Sequence, residues 1–439
     1  MHGRAEILKY WYSNPVFSSR AIDHAFKYIS AVTEMRFIKD RSGPLIWRSD
    51  DEPAPESVII NLGQADVIKG FRESYSTSRT ATPARTSEGD PIEEIIKRLS
   101  LKAMIGPVSE EISSEREPDV PRLSRLVTSL VDRLCDVRMV QPGSRSINLW
   151  PNRSKFAVTV THDVDIARRS VKGSLRLLWH KDPPGRFKGL VDSVNSVFSG
   201  RNPYDRIPQW LTMEKQYGLR STFFVFAGRR MHSNDPKYRL SDLSNSVDLI
   251  RESGSELALH SGIASYSGDD LSVARSGLED FAKDDIAGLR PHYLSTHLPE
   301  YWRAAAESGF AYSSCLGFDN KIGYFEGIDL PFIPFDAEND SAVDIVEIPI
   351  TVMDCGLVGN DSADSDDVFE RARIMIDSAV SSGGLVVLDW HQRTLYDPDY
   401  PGWGRLFKKL VEYALGRKGH FTTMREISTL LKERMAGRG

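Results

Sequence analysis

The chain has 439 residues, 40% hydrophobic and 27% charged, with a formal net charge of −5. That length allows two or three domains and full cores without disulfide staples. The acidic balance argues against a general nucleic-acid binder, and no apolar run approaches the roughly 20 residues of a membrane-spanning helix.

The three cysteines, Cys135, Cys315 and Cys355, form no CxxC pair and no metal-type spacing, which suits a reducing compartment. The opening MHGRAEILKYWYSNP lacks an apolar stretch of secretory-signal length. The expected location is therefore cytoplasmic.

Residues 1–150 read as a smaller α/β domain. Ile22, Ala25, Phe26 and Ile29 fall on one face of a helix predicted over 22–32, and 57–61 reads as a short strand. The stretch 74–90, SYSTSRTATPARTSEGD, has almost no large apolar residue and predicts a flexible loop. Apolar residues from Leu123 to Leu134 recur at helical spacing within 121–137. No cluster in this domain suggests chemistry.

Pro142-Gly143 and Pro151-Asn152 bracket a predicted boundary, and 151–439 forms the second domain. Here short β-rich runs (156–161, 221–226, 256–260, 345–350, 385–390) alternate with helical patterns near 206–217, 242–253, 269–282, 299–309, 366–381 and 404–416. Such alternation predicts a mainly parallel sheet or barrel. The segment 167–206 is basic and amphipathic, with Leu175, Leu177, Leu178, Trp179 and Phe187 among arginines and lysines. It reads either as a peripheral contact with anionic lipid or anionic substrate, or as a solvated flap over the barrel mouth.

Functional groups in parallel α/β folds gather at the carboxyl ends of strands. The first run ends in His162-Asp163-Val164-Asp165, the third in His260 and the last in His391; Gly288-Leu-Arg290-Pro-His292-Tyr293 follows another short strand. One carboxylate of the Asp-x-Asp pair can bind a metal while the other acts as a base. Neutral imidazole is a common ligand of zinc-like ions, and an arginine can orient a carboxylate through paired hydrogen bonds. Asp354, after the 348–353 run, either partners Arg290 or only ends a strand.

In this order the residues resemble the polysaccharide deacetylase family of carbohydrate esterases over about 155–420. Thr161-His162-Asp163-Val164-Asp165 is similar to its first motif, Ser221-Thr-Phe-Phe-Val225 to its hallmark strand, and His260-Ser261 to the start of its second. Arg290-Pro-His-Tyr293 resembles its third motif and Leu388-Asp-Trp-His391 its fifth. The form of the first and third motifs looks like a bacterial subgroup associated with surface-polysaccharide assembly. The resemblance implies a distorted (β/α) barrel and a divalent metal such as zinc. It implies a hydrolase acting on non-peptide C–N bonds, with an amino sugar or other carbohydrate as substrate. It further implies Asp163 as general base, Asp165 and His260 as metal ligands, His391 as general acid, Arg290 as the group that tunes the base, and the Tyr293 backbone N–H as an oxyanion donor.

Two positions depart from the family pattern. The second acid of the first motif falls one residue late, so which of Asp163 and Asp165 holds the metal stays open. The second histidine of motif two would fall at Ala264, which cannot ligate. His292 is the first replacement, followed by His162 and His297. The leading expectation is a deacetylase of polysaccharide or glycolipid precursors. The alternative is a non-catalytic relative that binds a glycan or nucleotide sugar in the same cleft.

Overall fold

A computed structural model of the chain describes residues 6–13, 18–33, 35–39, 45–47, 59–61, 91–100, 106–108, 121–136, 147–169, 186–199, 202–263 and 267–437. The predicted loop 74–90, Pro142-Gly143 and most of the apolar residues of the basic insertion lie outside these.

Nine strands form the main sheet, and every strand pairing in it is parallel. In chain order they are β1 (Ala157–Val164), β2 (Thr222–Phe226), β3 (Glu256–Ser261), β4 (Gly288–Pro291), β5 (Tyr312–Ser313), β6 (Val346–Glu347), β7 (Val352–Met353), β8 (Leu385–Asp389) and β9 (His420–Phe421). Their order across the sheet is β6-β5-β4-β3-β2-β1-β8-β7, with β9 beside the start of β1. The two edge strands, β6 and β7, are the ends of one continuous run from Val346 to Met353. That run therefore closes the sheet covalently, which is the distortion of this barrel. Pro349 lies between them and has no N–H for a ladder, so of the strand predicted over 345–350 only Val346–Glu347 forms, and β7 begins beyond it.

Helices follow the strands as the periodicity predicted: Ile207–Gln216, Ser244–Ser253, Gly268–Ala282, Glu300–Glu307, Asp366–Ser382 and Trp403–Gly416. Their ends are set locally. Ser267 and Ser365 accept backbone N–H groups of the first turn, and Gly383 closes Asp366–Ser382 in the left-handed conformation (φ 81°). Two C-terminal elements that the sequence reading passed over, β9 and the helix Met424–Met435, complete this layer.

Alternation along β1 decides the site. Val158, Val160 and His162 face one way; Thr159, Thr161 and Asp163 face the other. His162 packs against Trp210, Phe223 and Phe407, whereas Thr161 and Asp163 meet Arg290.

Glu6–Ser13, Met35–Lys39, Leu45–Trp47 and Ile59–Asn61 form a small parallel sheet, and Gly106–Val108 pairs antiparallel with Thr296–Leu298. The sequence places a domain division at residue 150. The helices Ser19–Val32, Pro91–Ser100 and Leu123–Asp136 ahead of it bury Phe26, Ile29, Leu99, Leu126 and Leu130 in the same core cluster as the barrel. Asp329 anchors the last of these helices. Its buried carboxylate accepts the Ser124 N–H (3.0 Å), the Ser124 hydroxyl and the Ser382 hydroxyl (2.9 Å). Asp329→Ala should strip two buried donors of Ser124 and the half-buried Ser382 hydroxyl of their acceptor and cost about 2–4 kcal/mol. Urea denaturation checks this; an unchanged midpoint would show that the anchor carries no stability.

Candidate active site

The carboxyl ends of β1, β3, β4 and β8 deliver Asp163, His260, Arg290 and Asp389 to one mouth, with Asp165, His292, Tyr293 and His391 just beyond the strand ends. All of these except Arg290 and Asp389 line a cavity of about 210 Å³.

Arg290 organises the floor. It is fully buried, and its Nη1 donates to Asp163 Oδ1 (2.7 Å), Asp389 Oδ1 (2.5 Å) and Thr161 Oγ1 (3.0 Å), while Nη2 donates to Ser314 Oγ (3.1 Å). The guanidinium carbon sits 4.2 Å from the centre of the Phe224 ring. Burial alone would raise the Asp163 carboxyl, but Arg290 and then His260 outweigh it and hold it below the ordinary value. Asp389 moves the other way, up to about 6, through burial and the charge of Asp163. Asp163 is thus the ionised member of the pair, and its Oδ2 lies 3.9 Å from His260 Nε2.

Asp165 is the second centre. Oδ1 lies 3.2 Å from His260 Nε2 and 3.6 Å from His292 Nε2; Oδ2 lies 3.1 Å from His391 Nε2 and accepts from Arg393 Nη1 at 2.9 Å. Donor atoms of Asp165, His260 and His292 all fall within 4.8 Å of one another. His260 is oriented through Nδ1, 3.0 Å from the Arg290 carbonyl. The two imidazoles stand edge to face with centroids 5.1 Å apart. His292 Nδ1 is buried with no hydrogen-bond partner, and burial followed by the charge of His260 pushes this imidazole down to about 4. A neutral, incompletely partnered imidazole beside a second imidazole and a carboxylate fits a zinc-like ion. A second group, Asp163, Asp389 and His391, is equally compact. It fits a cation poorly, because Arg290 already occupies the space between two of its carboxylates.

His391 is held at both edges. Asp354 Oδ2 accepts its backbone N–H (2.8 Å) and Asp354 Oδ1 lies 2.7 Å from Nδ1. Burial disfavours the imidazolium, but Asp354 and Asp165 prevail and raise the group well above its usual value. Tyr293, its ring tilted against His292 with centroids 4.4 Å apart, has a left-handed backbone (φ 57°), as does Leu294 (φ 51°). For residues with a Cβ that conformation costs about 1–2 kcal/mol each, and such strain often sits at functional turns.

The structure thus gathers Asp163, Asp165, His260, Arg290, His292, Tyr293 and His391, and it removes two alternatives. His162 is fully buried on the opposite face of β1 between Glu214 (2.7 Å) and the Trp390 carbonyl (2.6 Å). His297 pairs with Glu300 at the surface (2.7 Å). Ala264 lies outside the described residues. Asp354 partners His391, not Arg290. The sequence reading missed Asp389 and Arg393; an acid inside an otherwise apolar strand was the available clue for Asp389, and nothing marked Arg393.

The basic insertion is described only in part. Arg169 is buried in an ion pair with Asp399 (2.6 Å) and cannot face lipid. Asp192, on the helix Arg186–Ser199, accepts the Tyr396 hydroxyl (2.7 Å), so this helix is tied to the segment that follows His391. Among the described residues no helix is long and apolar enough to cross a membrane.

No family model matches the chain, and no curated protein matches it. Solved structures do. A Mycobacterium smegmatis protein described as a polysaccharide deacetylase is 19% identical, with TM-score 0.45, covering 65% of this chain and 93% of its own. The allantoinase Puue is 16% identical, with TM-score 0.45, covering 64% and 91%. A CE4 family pseudoenzyme from Bacillus anthracis is 12% identical, with TM-score 0.30, covering 64% and 66%.

Arg290→Met should leave Asp163 and Asp389 buried without their shared cation and cost about 3–5 kcal/mol. The companion Arg290→Met/Asp389→Asn should recover part of that loss. Thermal and denaturant melts check both; equal stability of the single variant and the parent would contradict the account.

Proposed function

We propose that the chain is a divalent-metal-dependent hydrolase of the polysaccharide deacetylase type. It removes an acetyl or similar acyl group from an amino sugar during assembly of a polysaccharide or glycolipid precursor. One observation carries this reading: a three-donor set, Asp165, His260 and His292, shares a small cavity with the Asp163 carboxylate and the His391 imidazole.

Two imidazoles and one carboxylate suit zinc. A bound ion of this kind supplies Lewis acidity, lowering the pKa of water and polarising an acyl oxygen. The rest falls to the chain's own side chains. Asp163 accepts the proton of the attacking water; Arg290 fixes its Oδ1 and leaves Oδ2 facing the cavity. His391 donates a proton from Nε2 to the leaving nitrogen; Asp354 holds the ring at Nδ1, which puts Nε2 on the side of Asp165. The Tyr293 N–H is the oxyanion donor. Tyr293, Tyr400 and Trp403 offer aromatic faces at the cavity for a sugar ring.

The test combines metal analysis with acetate release from N-acetylglucosamine oligomers. The parent protein should carry about one divalent ion per chain, retained through gel filtration, and His260→Ala and His292→Ala should each lose it. Asp163→Asn should keep the ion and lose roughly 10²–10⁴-fold in acetate release. A metal-free parent that binds the oligomer equally well before and after Asp163→Asn would make the protein a glycan binder instead.

A further inference from the structure

Asp165 turns only one oxygen toward the two imidazoles of the donor set. Its Oδ1 lies 3.2 Å from His260 Nε2 and 3.6 Å from His292 Nε2. Ligands held about 2.0–2.1 Å from a tetrahedral zinc ion stand roughly 3.3 Å from one another, so these separations suit a shared ion. Oδ2 is turned to the other side, 3.1 Å from His391 Nε2 and 2.9 Å from Arg393 Nη1. Two groups therefore hold Oδ2, and they differ in kind.

In the proposed reaction His391 must leave Oδ2 to protonate the leaving nitrogen. Arg393 has no second duty of that kind, because a guanidinium stays charged and gives up no proton. It is also fixed in place. The short turn Gln392–Leu395 carries it directly after His391, and its side chain is only 17% exposed. Its Nε donates to the Tyr400 hydroxyl at 3.0 Å, and the Tyr400 ring stands edge-on to Trp403 with centroids 5.2 Å apart. The guanidinium is thus tied to an aromatic pair at one point and to the carboxylate at another, and all three side chains line the catalytic cavity. A catalytic zinc ion with three protein ligands works through an open fourth position. A carboxylate that places both oxygens on one ion, as carboxylates also do, would crowd that position.

We propose that Arg393 is a positioning residue of the metal centre. By holding Oδ2 it makes Asp165 a one-oxygen ligand and keeps a coordination position open for the substrate. It also lets His391 leave Asp165 without the freed oxygen turning onto the ion. The inference rests on the hydrolase reading and gives a role to a side chain that acts only through Asp165.

Cobalt(II) reports on this directly, since its visible absorption per bound ion falls as its coordination number rises above four. The full chain and its Arg393→Met, Arg393→Lys and Tyr400→Phe variants would be stripped with a chelator, reloaded with cobalt and compared by metal analysis and absorption. Acetate release from N-acetylglucosamine oligomers would give kcat and KM for each. The parent should bind one cobalt ion per chain with strong absorption. Arg393→Met should still bind it, with absorption per ion at least about halved and kcat lower by roughly 10–100-fold at little change in KM. Arg393→Lys, a cation without the planar fork, should recover part of both. Tyr400→Phe, which removes only the Nε anchor, should move both the same way by less, and it decides the matter if Arg393→Met does not fold. A parent that binds no cobalt would overturn the hydrolase reading and this proposal with it. A loaded parent whose absorption per ion is unchanged by the substitutions would overturn the proposal alone. Lower loading at that same absorption would then make Arg393 a structural residue, and a rise in KM alone would make it a substrate contact.

Discussion

A single buried guanidinium ties the mouth of this barrel together. Arg290 rises from β4 and bonds to β1 through Thr161 and Asp163, to β8 through Asp389, and to Ser314 at the end of β5, while its flat face covers Phe224 of β2. Five strands therefore meet one cation. Two carboxylates this deep in the protein could not both stay charged without it, since their mutual repulsion and desolvation would neutralise at least one. With it, Asp163 stays ionised and Asp389 takes up the protonatable position. The electrostatics of the site thus follow from the order of strands in the sheet.

The remaining chemistry is divided by Asp165. Its two oxygens face different groups: Oδ1 turns to His260 and His292, Oδ2 to His391 and Arg393. The imidazoles differ accordingly. His292, buried next to His260 and short of a partner, is driven neutral; His391, between Asp354 and Asp165, is driven to the charged form. A neutral imidazole is a ligand and a charged one is a proton donor, so position alone assigns the two histidines different work.

Much of this was legible in the sequence because strand-end placement is a local property. A β-rich run followed by Asp-x-Asp, or by His, identifies a side chain at a carboxyl end before any topology is known. The helices, with strong apolar periodicity and clear serine and glycine caps, were readable for the same reason. What the sequence could not state was pairing across the mouth. Asp354 lies 37 residues before His391 and could as well have met Arg290. The alternation that buries His162 under Trp210 while exposing Asp163 to Arg290 settled which side chain of the THDVD run faces inward. Arg393 had no pattern at all: it reaches Asp165 because a short helical turn, Gln392–Leu395, follows β8.

The central claim is that Asp165, His260 and His292 form one ligand set in which His292 supplies the imidazole that Ala264 cannot. Crystals grown with zinc and measured on both sides of its absorption edge test this directly. The account predicts one anomalous peak within roughly 2.0–2.2 Å of a carboxylate oxygen of Asp165 and a ring nitrogen of each histidine. A peak among Asp163, Asp389 and His391 instead, or no peak in the cavity, would contradict it.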